Sequence, residues 1–255
     1  EEEKNLILNA DGMLKRHDGS ENFDAIGGNE ALKEYLRLIM RPEARRKKSK
    51  RNCVLEIGPP GTGKTLFAKA LGQYTGRKTY SGNLSSNKSK YVGESEGNTR
   101  RMFARASAMN NIVLYFDEIN EQVAGGESEG HAVDTAIRQN LMEWLDTHHV
   151  SDDVFVMATA NDISGMHMAL TRPGRVDSIW YVGLPGKVQK QAIWQICVAK
   201  YALNPEQYEK LPDDTGWAGV EIARSTRPIV VAYAVFAGFV ALQSRASTRT
   251  ATTLS

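Results

Sequence analysis

Val54-Leu55-Glu56-Ile57-Gly58-Pro59-Pro60-Gly61-Thr62-Gly63-Lys64-Thr65-Leu66 joins a short, largely apolar run to a glycine-rich turn and the first residues of a helix. Gly58 to Thr65 fits the phosphate-loop pattern GxxxxGK[ST]. Glycines let a backbone enter conformations closed to other residues and approach a ligand closely. Successive N–H groups then converge on one concavity that attracts anions, and the helix that follows adds its positive N-terminal end. Pro60, Gly61, Thr62, Gly63, Lys64, Thr65 and Leu66 are therefore candidate nucleotide-binding residues. Lys64 is placed to reach β and γ phosphates, and the Thr65 hydroxyl to ligate magnesium.

Outward from this turn, strand and helix patterns alternate. Lys78 to Ser81, Ile112 to Phe116, Val154 to Ala160 and Ile179 to Val182 read as strands. Asn29 to Met40, Leu66 to Gly72, Thr99 to Met109 and Ala132 to Trp144 read as helices. Such alternation predicts an α/β fold of three layers, a parallel sheet with helices on both faces. After Pro185 the strand signal stops. Gln189 to Tyr201 and Val220 to about Leu242 read as helices of a small lid. The expected organisation is an N-terminal extension over 1–20, with Asp11 to Ser20 a polar loop, an α/β core over 21–185, a helical lid over 186–242 and a disordered tail over 243–255.

Asp117 and Glu118 directly follow the apolar run Ile112 to Phe116. Both then lie at the carboxyl end of a central strand, where open α/β sheets bind ligands. Asp117 suits a role as magnesium partner, and Glu118 suits the role of general base toward an attacking water. Asn161 directly follows the next apolar run and offers a neutral amide to that water or to a γ-phosphate oxygen.

The bulk numbers restrict the setting. The chain has 255 residues, 41% of them apolar, and a formal net charge of +2, which calls for neither nucleic acid nor an anionic membrane. Arg41 to Arg51 carries seven Lys or Arg residues, a pattern typical of a solvated face. The longest apolar run, Ile229 to Leu242, has 14 residues, short of the roughly 20 a membrane span needs, and reads as a buried helix. Cys53 and Cys197 form no metal or redox spacing. With no leader-like stretch at the start, the expected compartment is reducing, meaning cytoplasm, organelle stroma or phage-infected host cytoplasm.

Taken together, Phe23-Asp24-Ala25-Ile26-Gly27-Gly28, the GPPGTGKT loop, YFDE, Ala158-Thr159-Ala160-Asn161 and Arg172-Pro173-Gly174-Arg175-Val176-Asp177 stand in the order found in AAA ATPases. The chain resembles that family from about Glu21 to Ala223, and within it looks most like the stand-alone AAA proteins of cyanobacteria, plastids and phages. The resemblance implies ATP or ADP with Mg2+ as cofactors, Ile26 and Gly27 as the segment around adenine, and Asn161 as the sensor. It implies catalytic roles for Glu118 and Asn161, and for Arg172 and Arg175 as arginine fingers acting on a neighbouring subunit's ATP. It also places Tyr91 and Val92 in a first pore loop, and Gly219 and Val220 at the start of the lid helix. The family usually carries Ala where this chain has Val220, a larger side chain facing the base.

These features imply a ring-forming ATPase, expected as a hexamer, that remodels or threads a protein partner. A nucleic-acid-directed or clamp-loader-like ATPase is the alternative, supported by Arg41 to Arg51 alone. A scaffold with little turnover is a third reading, disfavoured by the intact acids and arginines. A zinc protease is set aside, because His148 and His149 are adjacent rather than spaced i, i+4.

Overall fold

The structure, a computed structural model, describes residues 13–41, 53–84, 92–122, 131–148, 154–162, 166, 168–172, 174–200 and 214–226. Its strands are β1 (Leu14–His17), β2 (Cys53–Ile57), β3 (Lys78–Gly82), β4 (Ile112–Phe116), β5 (Val154–Ala160) and β6 (Ser178–Tyr181). Its α-helices are α1 (Glu30–Ile39), α2 (Lys64–Thr75), α3 (Val92–Ala108), α4 (Ile119–Gln122), α5 (His131–His148) and α6 (Lys187–Lys200), with further helical backbone at 219–226. The six strands form one sheet in the order β1-β3-β4-β5-β2-β6. All neighbours run parallel except β1, which pairs antiparallel with β3.

The central strands are apolar at nearly every position because both faces of the sheet are covered. Side chains alternate between the faces. Leu55, Leu114, Phe116, Val156 and Ala158 enter a core with Met102 and Phe103 of α3 and Ile137, Leu141 and Trp144 of α5. Val54, Val113, Tyr115, Phe155 and Met157 enter a second core with Leu32 and Leu36 of α1 and Phe67 and Leu71 of α2. Phe103 and Trp144 stack across the α3–α5 contact at 4.7 Å, adding directional stabilisation to the area they bury. In α1, Leu32, Leu36 and Ile39 recur at helical spacing, which turns that helix onto the sheet.

The sequence reading missed one strand and the short helix α4, and placed the start of α3 too late. Leu14–His17 is an edge strand, although its polar surroundings read as a loop. The ladder to β3 supplies its hydrogen bonds, and the Tyr115 hydroxyl pairs with His17 Nε2 at 2.7 Å. Helix α3 starts at Val92 rather than Thr99. Its weakly helical first turns, with Gly93 and Gly97, gain support from α5, where Asn140 Nδ2 donates to the Glu96 carbonyl at 3.4 Å. The predicted extension before residue 13, the tail over 243–255, the basic run beyond Arg41, the apolar run from Ile229 to Leu242 and the pore-loop residue Tyr91 lie outside the described residues. Among those described, no helix is long and apolar enough to cross a membrane.

Because β2, β4 and β5 are parallel neighbours, their carboxyl ends reach the same edge of the sheet. The turn after Ile57, the Asp117-Glu118 pair and Asn161 therefore meet there.

Candidate active site

The turn between β2 and α2 is shaped by glycine where a side chain cannot fit. A Cβ at Gly58 would lie 2.0 Å from the Val182 carbonyl oxygen, because the chain after β6 passes directly over the turn. Gly61 has a φ of +78°, and its Cβ would lie 2.4 Å from Val220 Cγ1. The Gly61 carbonyl accepts the Val220 N–H at 3.0 Å, so the turn and the helical backbone at 219–226 are stitched together.

Lys64 is buried at 7% exposure, and its ammonium spends all three donors within the turn and on Asn161. Nζ donates to the Gly58 carbonyl at 2.6 Å, the Pro59 carbonyl at 2.8 Å and Asn161 Oδ1 at 3.1 Å. Burial lowers its pKa from the ordinary lysine value, opposed by the charges of Asp117, Glu56 and Glu118.

The acids are fixed from two sides. Thr65 Oγ1 donates to Asp117 Oδ1 at 3.1 Å, and Thr159 Oγ1 donates to the same oxygen at 2.6 Å. The Glu118 N–H donates to Thr159 Oγ1 at 2.9 Å, and Asn161 Nδ2 donates to Glu118 Oε1 at 2.7 Å. Glu118 holds a φ of +51°, a left-handed conformation that a non-glycine residue adopts at a cost. Its carbonyl receives the N–H groups of Glu121 and Gln122, so this strained residue also starts α4.

A cavity of about 460 Å³ opens beside these groups, within the range of small-molecule sites. Pro60 to Leu66, Asp117, Glu118 and Asn161 line its polar end. Ile26, Gly27, Gly219 and Val220 line the remainder, joined by Ile193, Ile196 and Cys197 of α6. Lys33 Nζ donates to the Ile26 carbonyl at 2.6 Å and so holds the Ile26 segment in place. The three α6 residues escaped the sequence reading. Their spacing of three and four residues, which puts them on one helix face, was the available signal. Thr159 was missed too, although it is the lone hydroxyl in the otherwise apolar strand β5.

The residues present fit both a nucleotide and a metal. The turn offers a cation and a helix N-terminus to phosphates. The oxygens of Thr65 and Asp117 are hard donors of the kind magnesium takes, with room beside them for phosphate oxygens and water. An apolar end formed by Ile26, Val220 and the α6 residues suits a planar base.

Arg172 and Arg175 do not line this cavity. Arg172 is exposed. Arg175 makes a bidentate pair with Asp146, Nε and Nη2 each donating at 2.7 Å, and Nη1 donates to the Ala169 carbonyl at 2.7 Å. Its pKa is raised, first by the hydrogen bond to Asp146. Asp177 accepts the Cys53 N–H at 3.0 Å and returns its own N–H to the Cys53 carbonyl at 3.0 Å, so it anchors the start of β2. Val92 begins α3.

Comparison with known proteins agrees with this geometry. The model of the "ATPase family associated with various cellular activities (AAA)" matches residues 54–184. The peroxisomal ATPase PEX6 of Penicillium chrysogenum is 35% identical over 197 residues, covering 72% of this chain and 14% of that protein. PEX6 of Saccharomyces cerevisiae is 35% identical over 159 residues, covering 61% of this chain and 15% of that protein. The ATPase family protein 2 homolog of Caenorhabditis elegans is 32% identical over 218 residues, covering 81% of this chain and 30% of that protein. The chain thus spans a third or less of the length of each of these relatives. With a glycine-rich turn, paired acids and Asn161 at one sheet edge, and a family match over more than half its length, the chain belongs to the AAA family of ATPases.

Proposed function

We propose that this chain binds ATP with magnesium and hydrolyses it as one protomer of a ring, with six the expected number, and that the ring remodels or threads a protein client. The observation that carries the reading is the cluster of Lys64, Thr65, Asp117, Glu118 and Asn161 around the polar end of one cavity. Lys64 leaves the Gly58 and Pro59 carbonyls and turns to the β and γ phosphates. Magnesium, when bound, neutralises phosphate charge, and Thr65 and Asp117 are the residues to hold it. Glu118 takes a proton from the attacking water. Asn161, hydrogen-bonded to both Lys64 and Glu118, serves as the sensor and offers its amide to the attacking water or a γ-phosphate oxygen.

Ile26, Gly27, Gly219 and Val220 enclose the base. Arg172 and Arg175 lie away from their own protomer's cavity, and this supports their role as donors to a neighbour's phosphates. Such an arginine contributes roughly 10³–10⁵ in rate to nucleotide hydrolases. Tyr91 and Val92 are the residues we assign to gripping the client. The setting is cytoplasm, organelle stroma or phage-infected host cytoplasm. A nucleic-acid-directed ATPase rests only on Arg41 to Arg51, and the family and relatives above do not favour it.

The test is complementation in trans. Arg175→Ala and Glu118→Gln are each expected to lose turnover while retaining ATP. Mixed in equal amounts in an assembled ring, they recreate intact sites where one protomer's Glu118 meets the other's Arg175, restoring about a quarter of wild-type turnover. A mixture as inactive as its components, in rings shown by mass to be mixed, rejects catalysis between protomers.

A further inference from the structure

Strand β5 reads Val-Phe-Val-Met-Ala-Thr-Ala, buried at all seven positions. Thr159 is 2% exposed, and among the described residues its hydroxyl makes two bonds, both to the paired acids. A hydroxyl has one proton to give and two lone pairs. Here the proton goes to Asp117 Oδ1 at 2.6 Å and a lone pair receives the Glu118 N–H at 2.9 Å. One side chain, held in place by two flanking parallel strands, therefore grips two successive residues on the neighbouring strand's tip.

The two bonds fix different things. The bond to Oδ1 sets the rotation of the Asp117 carboxylate, which Thr65 meets from the phosphate turn at 3.1 Å. The bond from the Glu118 N–H holds the backbone of a residue at φ +51°, and so sets where its carboxylate stands against Asn161. A left-handed glutamate persists only where its surroundings fix it, and Thr159 is one of those determinants. A β-branched side chain suits this, because its χ1 is stiff.

We infer that Thr159 is a positioning residue for hydrolysis, orienting Asp117 toward magnesium and Glu118 toward water through one buried hydroxyl. The inference rests on the roles proposed above for those two acids. It makes Thr159 the point at which metal binding and water activation share a support. Loss of the hydroxyl should damage both together and leave the phosphate turn and base contacts alone.

The experiment compares Thr159→Val, Thr159→Ser and Glu118→Gln with the unchanged chain. Thr159→Val keeps the shape and removes both bonds. Turnover should fall about tenfold to a hundredfold, as expected for misplaced catalytic groups. A second readout needs no turnover. The gain in ADP affinity on adding magnesium, measured by calorimetry with and without EDTA, should shrink about tenfold, the scale of lost support around a metal ligand. Thr159→Ser keeps the hydroxyl and should restore both quantities to within about threefold of wild type.

If Glu118→Gln is inactive while Thr159→Val keeps wild-type turnover and magnesium dependence, the positioning role fails and the assignment of the acids stands. If Thr159→Ser is no better than Thr159→Val, packing rather than the hydroxyl matters, and the inference is overturned. If Glu118→Gln turns over ATP normally, the assignment of Glu118 as base falls, and the inference falls with it. A Thr159→Val chain that does not fold moves the decision to the serine variant joined by Thr159→Cys, which keeps the size but donates weakly. Cysteine behaving like wild type then refutes the role.

Discussion

Glu56 lies in the middle of β2, fully buried, with neither carboxylate oxygen hydrogen-bonded among the described residues. Its ladder partners are Thr159 on β5 and Trp180 on β6. Burial raises its pKa well above the ordinary value of 4.5; the Lys64 charge opposes this and Asp117 adds to it. The folded chain thus binds this proton more tightly than the unfolded chain does. The proton's contribution to stability is complete below about pH 4.5 and is lost as pH rises through the folded pKa. Glu56→Leu removes two unsatisfied oxygens at similar length. An unsatisfied buried polar group costs about 1–3 kcal/mol. At about 2–4 °C per kcal/mol for a chain of this size class, the variant should melt about 2–12 °C higher. The gap should be smallest near pH 5 and widen toward pH 8, because only the parent chain pays to hold or lose the proton. Thermal melts of the nucleotide-free protein by circular dichroism at several pH values measure it. Glu56→Gln separates the two contributions: its amide stays unsatisfied but does not titrate, so the pH trend disappears without the full gain. A Glu56→Leu chain that melts lower than the parent at pH 7 would refute the reasoning.

Gly58→Ala should destabilise the chain by about 1–3 kcal/mol or displace the turn, since the new Cβ meets the Val182 carbonyl at 2.0 Å; melting temperature and ADP affinity together report it, and an unchanged pair would show the turn to be looser than described. Lys64→Met should weaken ATP binding by more than about tenfold, the value of one charge-assisted hydrogen bond, in an equilibrium titration. Undiminished affinity there would remove Lys64 from the site.

The parts of the fold that were legible in sequence are those whose signal is local. Ile112–Phe116 and Val154–Ala160 are unbroken apolar runs because both sheet faces are covered, and the phosphate turn carries its chemistry in its own glycines. The candidate residues Lys64, Thr65, Asp117, Glu118 and Asn161 stand just beyond those strand ends and line one cavity. What escaped depends on partners distant in sequence. Leu14–His17 becomes a strand through β3, some sixty residues away, and its own residues alternate too weakly to announce it. The first turns of α3 bury Ser95 and Thr99, where polarity hides a packed face. Thr159 looked like one more residue of a buried strand, and only the tip of β4 reveals what its hydroxyl does. Arg175 was legible as an arginine in a turn, but its bidentate partner Asp146 lies on α5, in a segment with no motif of its own.

The central claim is that the cavity hydrolyses ATP through Glu118. Its most direct test is ATP binding and turnover by Glu118→Gln, measured side by side in magnesium. The amide keeps the size of the side chain and its contact with Asn161 but cannot take a proton from water. Affinity within about threefold of the parent, with turnover lower by about a hundredfold or more, is the expected result. Turnover at the parent's rate would contradict the account.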